Sequence, residues 1–144
     1  MPEPAPRPAT HAARMKSRGG FARVANALGY TLDGLRAAWT HEHAFRQELL
    51  CCAPFALAAW VLPGLQTWVR ALLFGSLLLI LVVELLNSSI EANTDHITLD
   101  RHPLAKRAKD MGSAAVCLAI VNAAVLWACF LLSAYGSRLY NWLF

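Results

Sequence analysis

The sequence predicts an all-α membrane protein of three transmembrane helices preceded by an amphipathic surface helix. Three observations carry this reading. Hydrophobic residues make up 57% of the 144 residues, with a mean hydropathy of +0.41, too apolar for an ordinary soluble domain of this size. The apolar residues gather into runs, the clearest over 67–87 and 113–135, which is the length a helix needs to cross a bilayer. Only 15% of residues are charged, yet the net charge is +4. That basic excess suits an anionic membrane surface and gives no reason to invoke nucleic acid.

Residues 1–20 hold four prolines and four basic residues without an apolar run, so they read as a disordered basic tail and not as a signal peptide. Residues 21–144 form one membrane domain. From Phe21 to about Glu48, Phe21, Val24, Leu28, Leu32, Leu35 and Trp39 recur at steps of three and four. Arg23, Asn26, Asp33 and Arg36 occupy the other side. This is a helix that lies in the membrane interface, with Gly29–Tyr30 as the place where it can break. The first apolar segment, 49–62, is short for a span and contains Pro54; Pro63–Gly64 ends it in a tight turn. The second, 67–87, is full length despite Arg70, which can snorkel near its end. The third, 113–135, is ended by Gly136, with Trp127, Tyr135, Tyr140 and Trp142 marking an interface. Cys51, Cys52, Cys117 and Cys129 all lie in apolar stretches without metal-ligand spacing and read as core or membrane-facing residues.

Basic residues are distributed unevenly between the two sides. Seven precede Leu49, four lie in the 87–112 connection, and only Arg70 and Arg138 fall on the other side. The positive-inside rule therefore places the N-terminus and the 87–112 connection in the cytoplasm and the C-terminus outside.

The chemistry is expected where the second apolar run ends. Glu84, Asn87, Glu91 and Asp95 fall at i, i+3, i+7 and i+11 of one helix face. A carboxylate at such depth costs roughly 2.5–3.5 kcal/mol even on the mild insertion scales. Lys106, Lys109 and Ser113 form a second row, with Asp110 beside Lys109. Acids, an amide and lysines converging on one interface suit a metal–phosphate site. The chain has no GxxxxGK[ST] or GxGxxG phosphate cradle, no CxxC and no HExxH. His41 and His43 point to different faces, and His96 and His102 fall in a predicted loop. Carboxylates are then the metal candidates, because Mg2+ prefers oxygen ligands. Other readings remain open from the residues alone. Glu84 can be a buried structural carboxylate, or part of a proton-coupled transport subunit, and the lysines can be topogenic charge on a membrane scaffold.

GLRAAWTHEHAFRQE (34–48), VELLNSSIEANTD (83–95) and RAKDMGSAAV (107–116) together resemble the prokaryotic integral-membrane diacylglycerol kinase family, over roughly residues 20–135. The 34–48 stretch is more similar to the Gram-negative lipid-kinase branch than to the undecaprenol-kinase branch. The resemblance implies a homotrimer in the bacterial inner membrane, C-terminus periplasmic, that uses ATP and Mg2+ to convert diacylglycerol to phosphatidic acid; undecaprenol is the alternative acceptor. It implies Glu84 as general base with Asn87 as its polar neighbour, and Glu42 and Glu91 as metal-holding carboxylates that also meet the nucleotide. Arg23, Tyr30, Asp95, Lys109 and Asp110 are implied around the nucleotide, and Arg46, Gln47, Glu48 and Ser113 with Asn87 on the substrate side. Departures from the family pattern fall mainly at Thr94, in 96–104 and in the first apolar segment.

Overall fold

The computed structural model describes residues 20–97 and 102–143, and every regular element among them is an α-helix. These are α1 (Gly20–His41), α2 (His43–Val61), α3 (Thr67–Ile97) and α4 (Pro103–Leu143). The expected basic tail lies outside the described residues up to position 19, as do residues 98–101. The chain divides into two compact units, one ending at Thr40 and one beginning at His41.

In the first unit, α1 carries the predicted apolar stripe, and Val24, Leu28, Leu32, Leu35 and Trp39 on it are exposed. The helix runs unbroken through Gly29. It stops at His41, not at 48 as the periodicity suggested. Thr40 donates its hydroxyl back to the Arg36 carbonyl at 2.8 Å, a bond that weakens a helical turn. Glu42 then leaves helical conformation (φ −100°, ψ 110°) to become the N-cap of α2. Its carbonyl accepts from the Arg46 N–H at 3.4 Å.

The second unit is built around α3, which packs against both α2 and α4. The predicted turn between α2 and α3 is present. Gly64 adopts φ +78°, a left-handed conformation that favours glycine, and Gln66 O accepts from the N–H groups of Val69 and Arg70. Arg70 does more here than snorkel. Its guanidinium donates to the carbonyls of Ala59 (2.5 Å), Trp60 (2.6 Å) and Leu62 (2.7 Å), satisfying acceptors that the end of α2 leaves without an intrahelical partner.

The connection expected over 87–112 is mostly helical. α3 continues to Ile97, so His96 lies on a helix and not in a loop. α4 starts at Pro103, a residue suited to the first helical position because its missing N–H is not needed there. His102 precedes it, accepting from Leu104 N through Nδ1 at 3.2 Å and from Lys106 N through its carbonyl. At the other end α4 passes through Gly136 to Leu143; the side chains of Tyr135, Tyr140 and Trp142 lie outside the described residues.

One seam organises the three helices. Leu73, Leu77, Ile80, Glu84 and Asn87 of α3 are buried at alternating steps of four and three, the spacing of a coiled-coil seam. Cys52 and Ala59 of α2 and Ala119, Ala123 and Trp127 of α4 close over its apolar half. Small residues at these contacts let the helix backbones approach, as in membrane interiors. Trp127 sits edge-on to Phe55 and Phe130, with ring centroids 5.2 and 6.3 Å away.

Among the described residues two helices are long and apolar enough to cross a membrane, Thr67–Ile97 and Pro103–Ala134, and only 28% and 17% of their most apolar windows is buried. A soluble core helix would bury most of that surface, whereas Leu78, Val82, Leu118 and Leu132 face outward. These helices are built for lipid. α2 is less apolar because Arg46, Gln47 and Glu48 fill its first turns.

Replacing Arg70 by Leu is expected to lower stability by about 1–3 kcal/mol, since three carbonyls lose a charged donor. Reversible denaturation in micelles measures this, and an unchanged midpoint would rule out a capping role.

Candidate active site

The α3 seam changes character at Glu84. The same stripe that buries Leu73, Leu77 and Ile80 carries Glu84 and Asn87 into the interior, with 3% and 8% of their surfaces exposed, and then Glu91, half-buried. Leaving the apolar run thus puts a carboxylate and a carboxamide where a hydrophobic knob would otherwise sit. Asn87 Nδ2 donates to Glu91 Oε1 at 3.1 Å, one turn further on.

The start of α2 brings two more carboxylates to this row. Glu42, Glu48, Glu84, Asn87, Glu91 and Ser113 line one open cleft of about 280 Å³, with Ala44 and Val116 as its apolar walls. Burial first, and the nearby Glu84 carboxylate second, push the Glu48 carboxyl up to about 7. Such a gathering of acids is unfavourable on its own, and suits a cation.

Oxygen acceptors are in place for one. Glu48 Oε2 is buried without a hydrogen-bond partner in the chain, and the Glu42 and Glu91 carboxylates share its cleft. Among the described residues there is no cluster of three or more His, Cys, Asp or Glu side chains able to hold a metal by themselves. Two carboxylates, with phosphate oxygens and water as the remaining ligands, form the kind of set a hard divalent cation takes in phosphoryl-transfer sites. The residues present therefore fit a divalent ion.

The other expected residues are arranged around the cleft or apart from it. Asp95 and Lys109 form an ion pair at 2.5 Å that ties α3 to α4 across the 98–101 link. Asp110 pairs with Lys106 at 2.5 Å, one turn away on α4. Arg46 donates to His43 Nδ1 at 2.8 Å, and neither Arg46 nor Gln47 lines the cleft. Arg23 and Tyr30 are exposed on α1, in the other unit. The sequence did not disclose Gly112, which is buried: a Cβ there would overlap Asn87 Oδ1. Spacing alone gave no sign that Glu48, which the family resemblance implied on the substrate side, would join the acids of α3.

The family model for prokaryotic diacylglycerol kinase matches residues 29–131. The chain belongs to this family. It is similar to the diacylglycerol kinase of Escherichia coli, 46% identical over 118 residues that cover 81% of this chain and 95% of the relative. The diacylglycerol kinase of Pseudomonas aeruginosa is 47% identical over 117 residues, covering 81% and 94%. That of Helicobacter pylori is 42% identical over 117 residues, covering 81% and 90%. The match to the family model contains all of the cleft. Kinase families employ a divalent metal with the nucleotide, in agreement with the acceptors found here.

The raised Glu48 carboxyl has a sign that can be checked. A carboxyl group that holds its proton more tightly when folded stabilises the fold below its ordinary value of 4.5, and this stability is lost as pH rises toward about 7. Metal-free protein in micelles should therefore show a falling thermal midpoint across that window, and Glu48→Gln should flatten the fall. Identical pH profiles would remove Glu48 from the buried acid group.

Proposed function

We propose that this chain is an ATP-dependent diacylglycerol kinase of a bacterial inner membrane, producing phosphatidic acid and ADP. The observation that carries this reading is the cleft itself: four carboxylates and a carboxamide gathered where the apolar run of α3 ends, in a chain of this family.

A lipid anchored by its acyl chains presents its primary hydroxyl near the end of the apolar run of α3, where Glu84 stands. Glu84 takes the hydroxyl proton, worth about 10²–10⁴-fold as general base catalysis. The lipid oxygen forms a bond to the γ-phosphorus while the bond from that phosphorus to the β–γ bridging oxygen breaks, and ADP leaves with the electron pair. Phosphoryl transfer asks the protein chiefly for positioning and charge neutralisation. Glu42 and Glu91 would hold Mg2+, which bound there would neutralise the transferring phosphate. Asn87 orients Glu91. Asp95, Lys109 and Asp110, with Arg23 and Tyr30 of α1, serve the nucleotide, and Arg46, Gln47, Glu48 and Ser113 the lipid side.

The cleft is open and, at about 280 Å³, has room for no more than one small ligand, whereas the reaction brings ATP and a lipid together; this supports a site completed by neighbouring protomers of a homotrimer. α2 is the third span, with its polar first turns in the interface. The basic asymmetry of eleven residues against two supports a cytoplasmic N-terminus and a periplasmic C-terminus.

Purified protein in mixed micelles, given γ-labelled ATP with diacylglycerol or undecaprenol, should label diacylglycerol. Faster labelling of undecaprenol would overturn the choice of acceptor, and no labelling of either the activity.

Glu84→Gln keeps size but loses basicity. Turnover should fall by about 10²-fold or more with little change in apparent affinity for ATP or lipid, in protein that still folds. Substantial turnover in that variant would show that another group is the base. A reporter fused after Phe144 should report the periplasm; a cytoplasmic signal would reverse the orientation.

A further inference from the structure

Gly112 lies in α4, buried against α3. A Cβ built at this position would overlap Asn87 Oδ1, come within 3.3 Å of Asn87 Cγ, and meet Asn87 Cα at 3.8 Å. The first of these contacts is impossible and the second is tight, while the third is ordinary van der Waals distance. The missing side chain of Gly112 is thus the space that the Asn87 carboxamide fills. Of the described glycines, Gly112 alone has any group this close.

The position of the carboxamide matters because of what its other end does. Asn87 Nδ2 donates to Glu91 Oε1, so Oδ1 must point the opposite way, toward α4. There it has no donor in the chain and occupies the place a side chain at 112 would take. Any side chain at 112 would push the carboxamide out of this seat and turn Nδ2 away from Glu91. A carboxylate that holds a metal depends on such outer contacts for its orientation, and losing one costs about 10–100-fold in metal affinity or activity.

We infer that Gly112 is a positioning residue of the site: by leaving room for the Asn87 carboxamide it fixes the Glu91 carboxylate for divalent-cation binding. The inference rests on the reading of Glu91 as a metal-holding residue. A glycine kept only for close helix packing would make a different prediction, because small residues of that kind affect assembly and not metal affinity.

The test is a double-mutant cycle read by metal binding. Full-length protein in micelles is titrated with Mn2+ in the presence of a non-hydrolysable ATP analogue, and free Mn2+ is measured by electron paramagnetic resonance. Gly112→Ala should weaken Mn2+ binding about 10-fold or more. In the Asn87→Ala background, adding Gly112→Ala should cost nothing further, since the carboxamide it would displace is gone and only the 3.8 Å contact with Asn87 Cα remains. Wild-type binding in Gly112→Ala, or an equal loss in both backgrounds, overturns the inference. If Gly112→Ala does not fold, the double variant must restore folding, and its failure to do so also overturns it. Should Asn87→Ala and Glu91→Gln both bind Mn2+ as the wild type does, the metal reading fails and the inference with it. If those two weaken binding and Gly112→Ala does not, only the inference falls.

Discussion

Glu84 and Asn87 are withdrawn from solvent on a stripe whose preceding members, Leu73, Leu77 and Ile80, are apolar, and the site follows from how those two polar groups are accommodated. A buried carboxylate costs several kcal/mol unless something compensates it. The carboxamide finds a partner in Glu91 on its own helix and a seat at Gly112 on the next. The carboxylate has Asn87 beside it and meets other acids on its own helix and across the cleft. The seat on the α4 side is filled by shape, and the acids on the α2 side are left electrostatically unbalanced. That imbalance is what a cation and the phosphates it accompanies can relieve.

The parts of this arrangement that lie within one helix were legible in the sequence. Glu84, Asn87, Glu91 and Asp95 share a face by spacing alone, and α3 holds them in that register. The apolar runs marked α3 and the middle of α4, and Pro63–Gly64 marked the turn between α2 and α3. Element ends were less legible. Hydrophobicity stops at the membrane boundary whereas helical backbone does not, so α3 and α4 extend well into what composition suggested was a connection. The interruption at Glu42 has no glycine or proline to announce it, and Gly29, which looked like a weak point, is simply accommodated within α1.

Relations between helices were the least legible. Glu48 was assigned to the site only through family resemblance, and its meeting with Glu84 depends on how α2 packs on α3. Arg70 looked like a charge to be tolerated near a helix end, yet it binds three carbonyls of the preceding helix. Gly112 carries no chemistry of its own, and its role is visible only when the Asn87 side chain is placed beside it. Spacing within a sequence cannot report such contacts, because they join residues from separate helices.

Arg70 and the Asp95–Lys109 pair hold α3 at both ends, to the close of α2 and to the first turns of α4. These contacts oppose sliding of α3 along its neighbours, and the distance from Arg70 to Glu84 within that helix is fourteen residues of helical rise, about 21 Å. A bilayer's hydrocarbon core is about 30 Å thick. In the proposed orientation the chain then acts as a ruler of fixed length: with Arg70 held at the outer boundary, a thicker membrane would draw Glu84 deeper below the inner one and a thinner membrane would bring it closer. Bilayer thickness thereby sets which depth of hydroxyl the carboxylate can meet.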